Sequence, residues 1–205
     1  MVERSQWVEI TDEDPTHSQR YIERFRTMAE AGRDLAGEAR LIDAMAPRSA
    51  RILDAGCGPG RVGSTLAELG HEVVGVDVDP VLIAEAQREH PGATWLVGDL
   101  AELDLPAAGV AADFDVIVCA GNVMTFLAPS TRSLVVSRLG AHLADGGRLV
   151  VGFGAERGYP FDEFRANAEA AGLVLDLEIG TWDLRPFTPE SDFLISVLSR
   201  PASAA

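Results

Sequence analysis

From position 51 onward the chain alternates between short apolar runs and stretches whose apolar residues recur every three or four positions. These are the periods of half-buried strands and of amphipathic helices. Residues 51–54 read as a first strand, 62–69 as a helix and 72–77 (EVVGVD) as a second strand. A helix over 81–89, a third strand over 94–97 and a fourth over 114–119 (FDVIVC) follow, then a helix over 134–143 and a fifth strand over 148–153. A helix over 161–171 precedes two closing strands, 173–182 and 193–199. Upstream, Tyr21, Phe25, Met28, Leu35, Leu41, Ile42 and Met45 give residues 17–46 a helical period that Pro47 ends, behind a polar tail.

Strands that alternate with helices at this spacing predict an α/β fold, a mostly parallel sheet covered on both faces. The last two strands have no helix between them. They are expected to pair as an antiparallel hairpin, because a parallel return needs a longer crossover. With 205 residues and no internal repeat or linker, the chain reads as a single domain: an N-terminal helical segment (1–48) and a core (49–200).

Composition narrows the partners. The formal net charge is −15 and every basic residue is Arg, scattered and without interleaved aromatics. A field of that sign repels polyphosphates, so a nucleic-acid substrate is not expected. No apolar run reaches the length of a membrane span, and the start of the chain lacks the basic and apolar regions of a secretory signal. The expectation is a cytoplasmic protein without a membrane partner. Two cysteines, Cys57 and Cys119, are too few for a disulfide framework and read as small buried residues. The oligomeric state is not legible.

The candidate chemistry begins with Asp54-Ala55-Gly56-Cys57-Gly58-Pro59-Gly60-Arg61, between the first strand and its helix. Glycines there let the backbone approach a ligand and turn into a helix whose free N–H groups favour anionic groups. A dinucleotide fingerprint would place a third glycine at position 61, and the bulky Arg61 argues against a pyrophosphate pocket. Asp77 stands at the end of the second strand, where a carboxylate can accept both hydroxyls of a ribose. Asp99, in Gly98-Asp99-Leu100 after the third strand, can accept from an adenine amino group.

With these motifs in register, residues 49–200 resemble the class I S-adenosylmethionine-dependent methyltransferases. LDAGCGPG is similar to that family's first motif, VVGVDVDP to its acidic second-strand motif, VGDL to its adenine motif and LADGGRLVVGF to its fifth-strand motif. The resemblance implies a Rossmann-like, doubly wound, seven-stranded sheet of order 3-2-1-4-5-7-6, with strand 7 antiparallel. It also implies that Asp54 and Gly56, Cys57, Gly58, Pro59 and Gly60 face the methionine part of the cofactor and that Asp77 holds the ribose. Val78 would pack on the adenine, Asp99 with Leu100 would read its edge, and Ala120 would complete the site. The cofactor would be S-adenosylmethionine, and S-adenosylhomocysteine the product.

Departures from the family's subclasses bound the acceptor. Cys119-Ala120-Gly121-Asn122-Val123 is neither the Pro-Pro-aromatic motif of base-amino methylation nor a Pro-Cys nucleophile. No acid lies between Cys119 and Pro129 to hold Mg²⁺. The expectation is metal-independent, in-line transfer to a small molecule. His71, His90 and His142 fall on the wrong side of the sheet, leaving His17, with Tyr21 and Asn122, as catalytic candidates. Tyr21, Asn122, Arg157 and Tyr159 are candidate substrate contacts, and the N-terminal helix, with His17, Tyr21 and Arg24 on one face, a candidate cover. Two other readings are compatible with the motifs: a non-catalytic protein that binds or senses S-adenosylmethionine, and a nicotinamide-dependent oxidoreductase, which Arg61 disfavours.

Overall fold

A computed structural model describes residues 2–201. Three helices, α1 (Gln6–Glu13), α2 (His17–Glu30) and α3 (Gly37–Met45), precede the sheet. There follow β1 (Arg51–Ala55), α4 (Arg61–Glu68), β2 (Glu72–Asp77), α5 (Pro80–Glu89), β3 (Thr94–Val97) and β4 (Phe114–Cys119). The short α6 (Val123–Phe126), α7 (Arg132–Ala141), β5 (Leu143–Gly154), α8 (Phe161–Ala170), β6 (Val174–Ile179) and β7 (Phe193–Ser199) complete the chain. The seven strands form one sheet of order β3-β2-β1-β4-β5-β7-β6. All neighbours are parallel except β7, which runs antiparallel to β5 and β6. Fold class, strand order and closing hairpin are those expected.

The central strands are mostly apolar because both faces of the sheet are covered, and the two-residue period of a strand sends neighbours to opposite layers. Leu53, Val74, Ile117, Leu149 and Val151 pack with α7 and α8 through Val135, Leu139 and Phe164. Ile52, Val73, Val116, Val118 and Val150 pack with α3 and α4 through Ile42, Val62 and Leu66.

Four details differ from the sequence reading. The polar tail contains α1, whose N-cap Ser5 accepts the N–H of Val8 and whose Trp7 is buried. The helical stretch 17–46 is two helices, separated where Gly32 adopts φ +71°. Strand β5 begins earlier, at Leu143, across a register shift against β4. Strand β6 ends earlier, at Ile179, because the chain then turns and lays Trp182 over Gly152: a Cβ there would lie 2.4 Å from its ring. No helix among the described residues is long and apolar enough to cross a membrane.

Candidate active site

Parallel strands carry their ligands at their carboxyl ends, beside the point where strand order reverses. Here β1 and β4 lie side by side while their helices depart in opposite directions, and one pocket opens there. It encloses about 910 Å³, its open mouth included. Asp54, Gly56, Cys57, Gly58, Pro59, Asp77, Val78, Asp99, Leu100 and Ala120 all line it. Residues far apart in sequence thus converge because each follows a strand end.

The glycine loop is shaped by what presses on it. Gly56, at φ +78°, lies under Val123: an added Cβ would meet that side chain at 2.4 Å. Gly58 donates its N–H to Asp77 Oδ2 (2.8 Å), and Asp77 Oδ1 accepts the N–H of Asp79 (2.9 Å). Gly60 is the exception among the expected cofactor contacts. It is not on the pocket wall, and its missing Cβ makes room for the Trp95 and His90 rings at 3.0 and 3.1 Å. With Gly63 and Gly75 it cradles Trp95, seating α4 against the sheet.

Two carboxylates in this pocket are buried. Asp54 Oδ2 accepts the N–H of Gly63 (2.8 Å), and among the described residues nothing donates to its Oδ1. Burial pushes its pKa up to about 7, against the opposing pull of that hydrogen bond and of Arg61. Burial likewise raises Asp77 to about 6, against its backbone hydrogen bonds. Asp99 accepts the N–H of Ala101 (2.8 Å), so it caps a turn while lining the pocket. Among the described residues Arg61 is the one basic side chain on the wall; Glu38 engages it at both terminal nitrogens (2.6 and 2.8 Å) and the carbonyl of Leu35 accepts from it at 2.7 Å. Cys57 and Cys119 are free, buried thiols, raised by desolvation.

Four aromatic rings contribute to the remaining wall, beside aliphatic residues such as Val62, Leu82 and Leu127. Trp7, Tyr21, Phe25 and Phe126 line it, with Trp7 edge-on to Tyr21 (5.2 Å) and Phe126 (5.4 Å). Among the described residues the Tyr21 hydroxyl has no hydrogen-bond partner, and burial holds its pKa above the ordinary value. Arg24 lies over the Tyr21 ring at 4.9 Å.

Other sequence candidates are placed elsewhere. His17 packs against Trp7 (5.1 Å between ring centroids) and does not line the pocket. Asn122, between the lining residues Gly121 and Val123, adopts φ +67° and spends its Oδ1 on the N–H of Gly154 (2.8 Å), pinning this loop to β5. Arg157 is exposed, outside the pocket lining. Tyr159 is 1% exposed because the chain turns inward after β5: its ring stacks on Phe153, Arg132 covers it, and Asn167 donates to its hydroxyl (2.8 Å). Being core, it lies away from the pocket. His71 and His142 each accept a backbone N–H, from Ala50 and Leu105 (both 3.2 Å), and are structural. Trp7, Phe25 and Phe126 were missed. The cap Ser5 ahead of the apolar pair Trp7 and Ile10 was the available signal for the first.

A doubly wound sheet with a glycine loop and acids at successive strand ends defines a nucleoside-binding class of protein. Residues 52–147 match the family model described as "Methyltransferase domain". A TehB-like SAM-dependent methyltransferase from Corynebacterium glutamicum is 49% identical in a match covering 91% of this chain and all of that one, with a TM-score of 0.87. An uncharacterized methyltransferase of Mycobacterium tuberculosis is 36% identical over 114 residues, 54% of each chain. A trans-aconitate 2-methyltransferase of Azoarcus is 33% identical over 135 residues, 65% of this chain and 48% of that one. The match spans about half the length of these two curated relatives. The chain belongs to the class I S-adenosylmethionine-dependent methyltransferase family.

Proposed function

We propose that this chain transfers a methyl group from S-adenosylmethionine to a small-molecule acceptor without a metal, releasing S-adenosylhomocysteine. The observation that carries the reading is Asp54 and Asp77, two buried carboxylates with spare acceptor capacity, in one pocket with a glycine loop. Their donor sets fit the cofactor. Asp54, with one internal donor, has an oxygen left for the methionine ammonium; Asp77, with two backbone donors, keeps lone pairs for ribose hydroxyls. Asp99 and Leu100, which line the same pocket, would read the adenine edge, and Val78 would pack on its face. The bound cofactor supplies an electrophilic methyl group on a sulfonium.

What remains for the protein is alignment and exclusion of water, the main levers for an in-line displacement. Trp7, Tyr21, Phe25 and Phe126 form the water-excluding wall, and Val123, fixed by Asn122, presses the glycine loop into place. Tyr21 stays protonated at neutral pH and serves as a hydrogen-bonding group beside the acceptor rather than as a base. His17 packs edge-to-face against Trp7, at 5.1 Å between ring centroids. A pocket enclosed by aromatic rings suits a small molecule, and the acid surplus argues against nucleic acid. The loop after β4 offers no carboxylate to a hard cation.

The test is thermal unfolding with S-adenosylmethionine or S-adenosylhomocysteine, followed by product formation against small-molecule pools with and without EDTA. At a hundredfold excess over Kd, stabilisation of about 2.7 kcal/mol is expected, and turnover that survives EDTA. No shift at millimolar cofactor refutes the reading. Tight binding without turnover against every pool leaves a sensor in place of an enzyme.

A further inference from the structure

The two helices that supply Trp7, Tyr21 and Phe25 to the aromatic wall share one buried carboxylate of the body of the protein. Asp79 is buried, and its Oδ2 accepts both the indole N–H of Trp7 (2.8 Å) and the hydroxyl of Ser18. Its Oδ1 accepts the N–H groups of Val81 (2.8 Å) and Leu82 (3.4 Å), capping α5. Its own N–H donates to Asp77. One side chain therefore holds α1 through Trp7, α2 through Ser18 and α5 through its first turn, two residues from the proposed ribose acceptor.

The other ties of α1 and α2 to α5 among the described residues are the Arg26–Glu85 ion pair, whose Arg is half exposed, and a non-directional apolar contact of Trp7 and Ile22 with Leu82. Exposed ion pairs contribute little, whereas a hydrogen bond accepted by a buried carboxylate is among the strong ones. Trp7, Tyr21 and Phe25 all belong to α1 and α2 and all line the pocket, so undocking these helices from Asp79 removes one whole wall.

We propose that Asp79 is the latch of a gate: ligands enter and leave as α1 and α2 release from its carboxylate, and Asp79, Trp7 and Ser18 are positioning residues that set the exchange rate. This rests on the pocket being the S-adenosylmethionine site. A latch makes a kinetic demand that a ligand contact does not. Weakening it raises the open fraction of the free protein and lets the bound protein reopen, so association and dissociation accelerate together and Kd changes little.

The experiment is surface plasmon resonance with the full chain and S-adenosylhomocysteine, comparing wild type with Trp7→Phe, Ser18→Ala, Asp79→Asn and the double variant Trp7→Phe/Asp79→Asn. Phe keeps an aromatic ring without the N–H, and Asn still caps α5. Each single variant is expected to raise both rate constants about tenfold or more, with Kd within about threefold for Ser18→Ala and Asp79→Asn, at positions that do not line the pocket. The double variant is expected to match Asp79→Asn rather than exceed it, because that substitution has already removed the acceptor of the Trp7 N–H. Unchanged rates, or faster dissociation alone, overturn the latch; the second outcome makes Trp7 a simple ligand contact. Should Trp7→Phe not fold, Ser18→Ala decides by the same criterion. Wild type that does not bind S-adenosylhomocysteine overturns the functional reading and the latch with it, whereas binding with unaltered rates removes the latch only.

Discussion

Replacing Asp77 by Asn separates what this residue does for the fold from what it does for the ligand. In the free protein its carboxylate accepts the N–H groups of Gly58 (2.8 Å) and Asp79 (2.9 Å) while being buried. A pKa raised from 3.8 to about 6 means that ionising it in the fold costs about 3 kcal/mol at 1.36 kcal/mol per pH unit. Asn carries no such penalty but keeps a single carbonyl, so one backbone N–H faces its NH₂ group instead of an acceptor, at about 1–3 kcal/mol. The two terms oppose and nearly cancel, so unfolding free energy at pH 8 is expected to change by no more than about 2 kcal/mol. The ligand has no such compensation. Loss of a charged acceptor is worth about 1.5–3 kcal/mol, or roughly 10- to 150-fold in Kd. Urea denaturation measures the first quantity, and calorimetric titration with S-adenosylhomocysteine the second. Asp77→Asn that is folded and binds with wild-type affinity would refute the ribose assignment.

The pH dependence follows from the same burial. Asp54 and Asp77, with pKa values raised to about 7 and about 6, bind protons more tightly folded than unfolded. They therefore stabilise the free protein as pH falls from 8 toward 5, whereas a ligand needing them ionised binds more weakly over that interval. Thermal scans from pH 5 to 8 are expected to show the ligand-induced shift shrinking toward acid, and calorimetry in buffers of different ionisation heat to show proton release on binding near pH 6.5. A pH-independent shift contradicts this. Gly75→Ala is expected to cost about 1–3 kcal/mol by overpacking, because the new methyl would stand 2.3 Å from the Trp95 ring, with Cys57 Sγ at 3.0 Å. Adding Trp95→Leu is expected to recover part of that loss in urea unfolding, and no recovery would place the strain elsewhere.

The sequence by itself determined the sheet. Central strands such as FDVIVC carry their two-faced burial in mostly apolar residues, and helices between strands favour parallel neighbours, so class and hairpin were legible in the pattern, while the strand order was implied by the resemblance of the motifs. It also determined most of the wall that faces the proposed cofactor, because Asp54, Gly56, Asp77 and Asp99 sit at strand ends whatever packs around them. Tertiary structure decided the rest. Gly60 reads as part of the ligand loop, yet it is glycine because Trp95, thirty-five residues on, occupies the space of its side chain. Tyr159 follows the correct strand but turns into the core, and His17 is taken up by Trp7. The cover was half legible: Tyr21 and Phe25 announce a helix, but the polar partner of Trp7 and Ser18 is Asp79, more than sixty residues away. Periodicity records which side of an element is apolar. It does not record which distant side chain will fill a gap or supply an acceptor, since those choices are settled by close packing and by the need of every buried polar group for a partner.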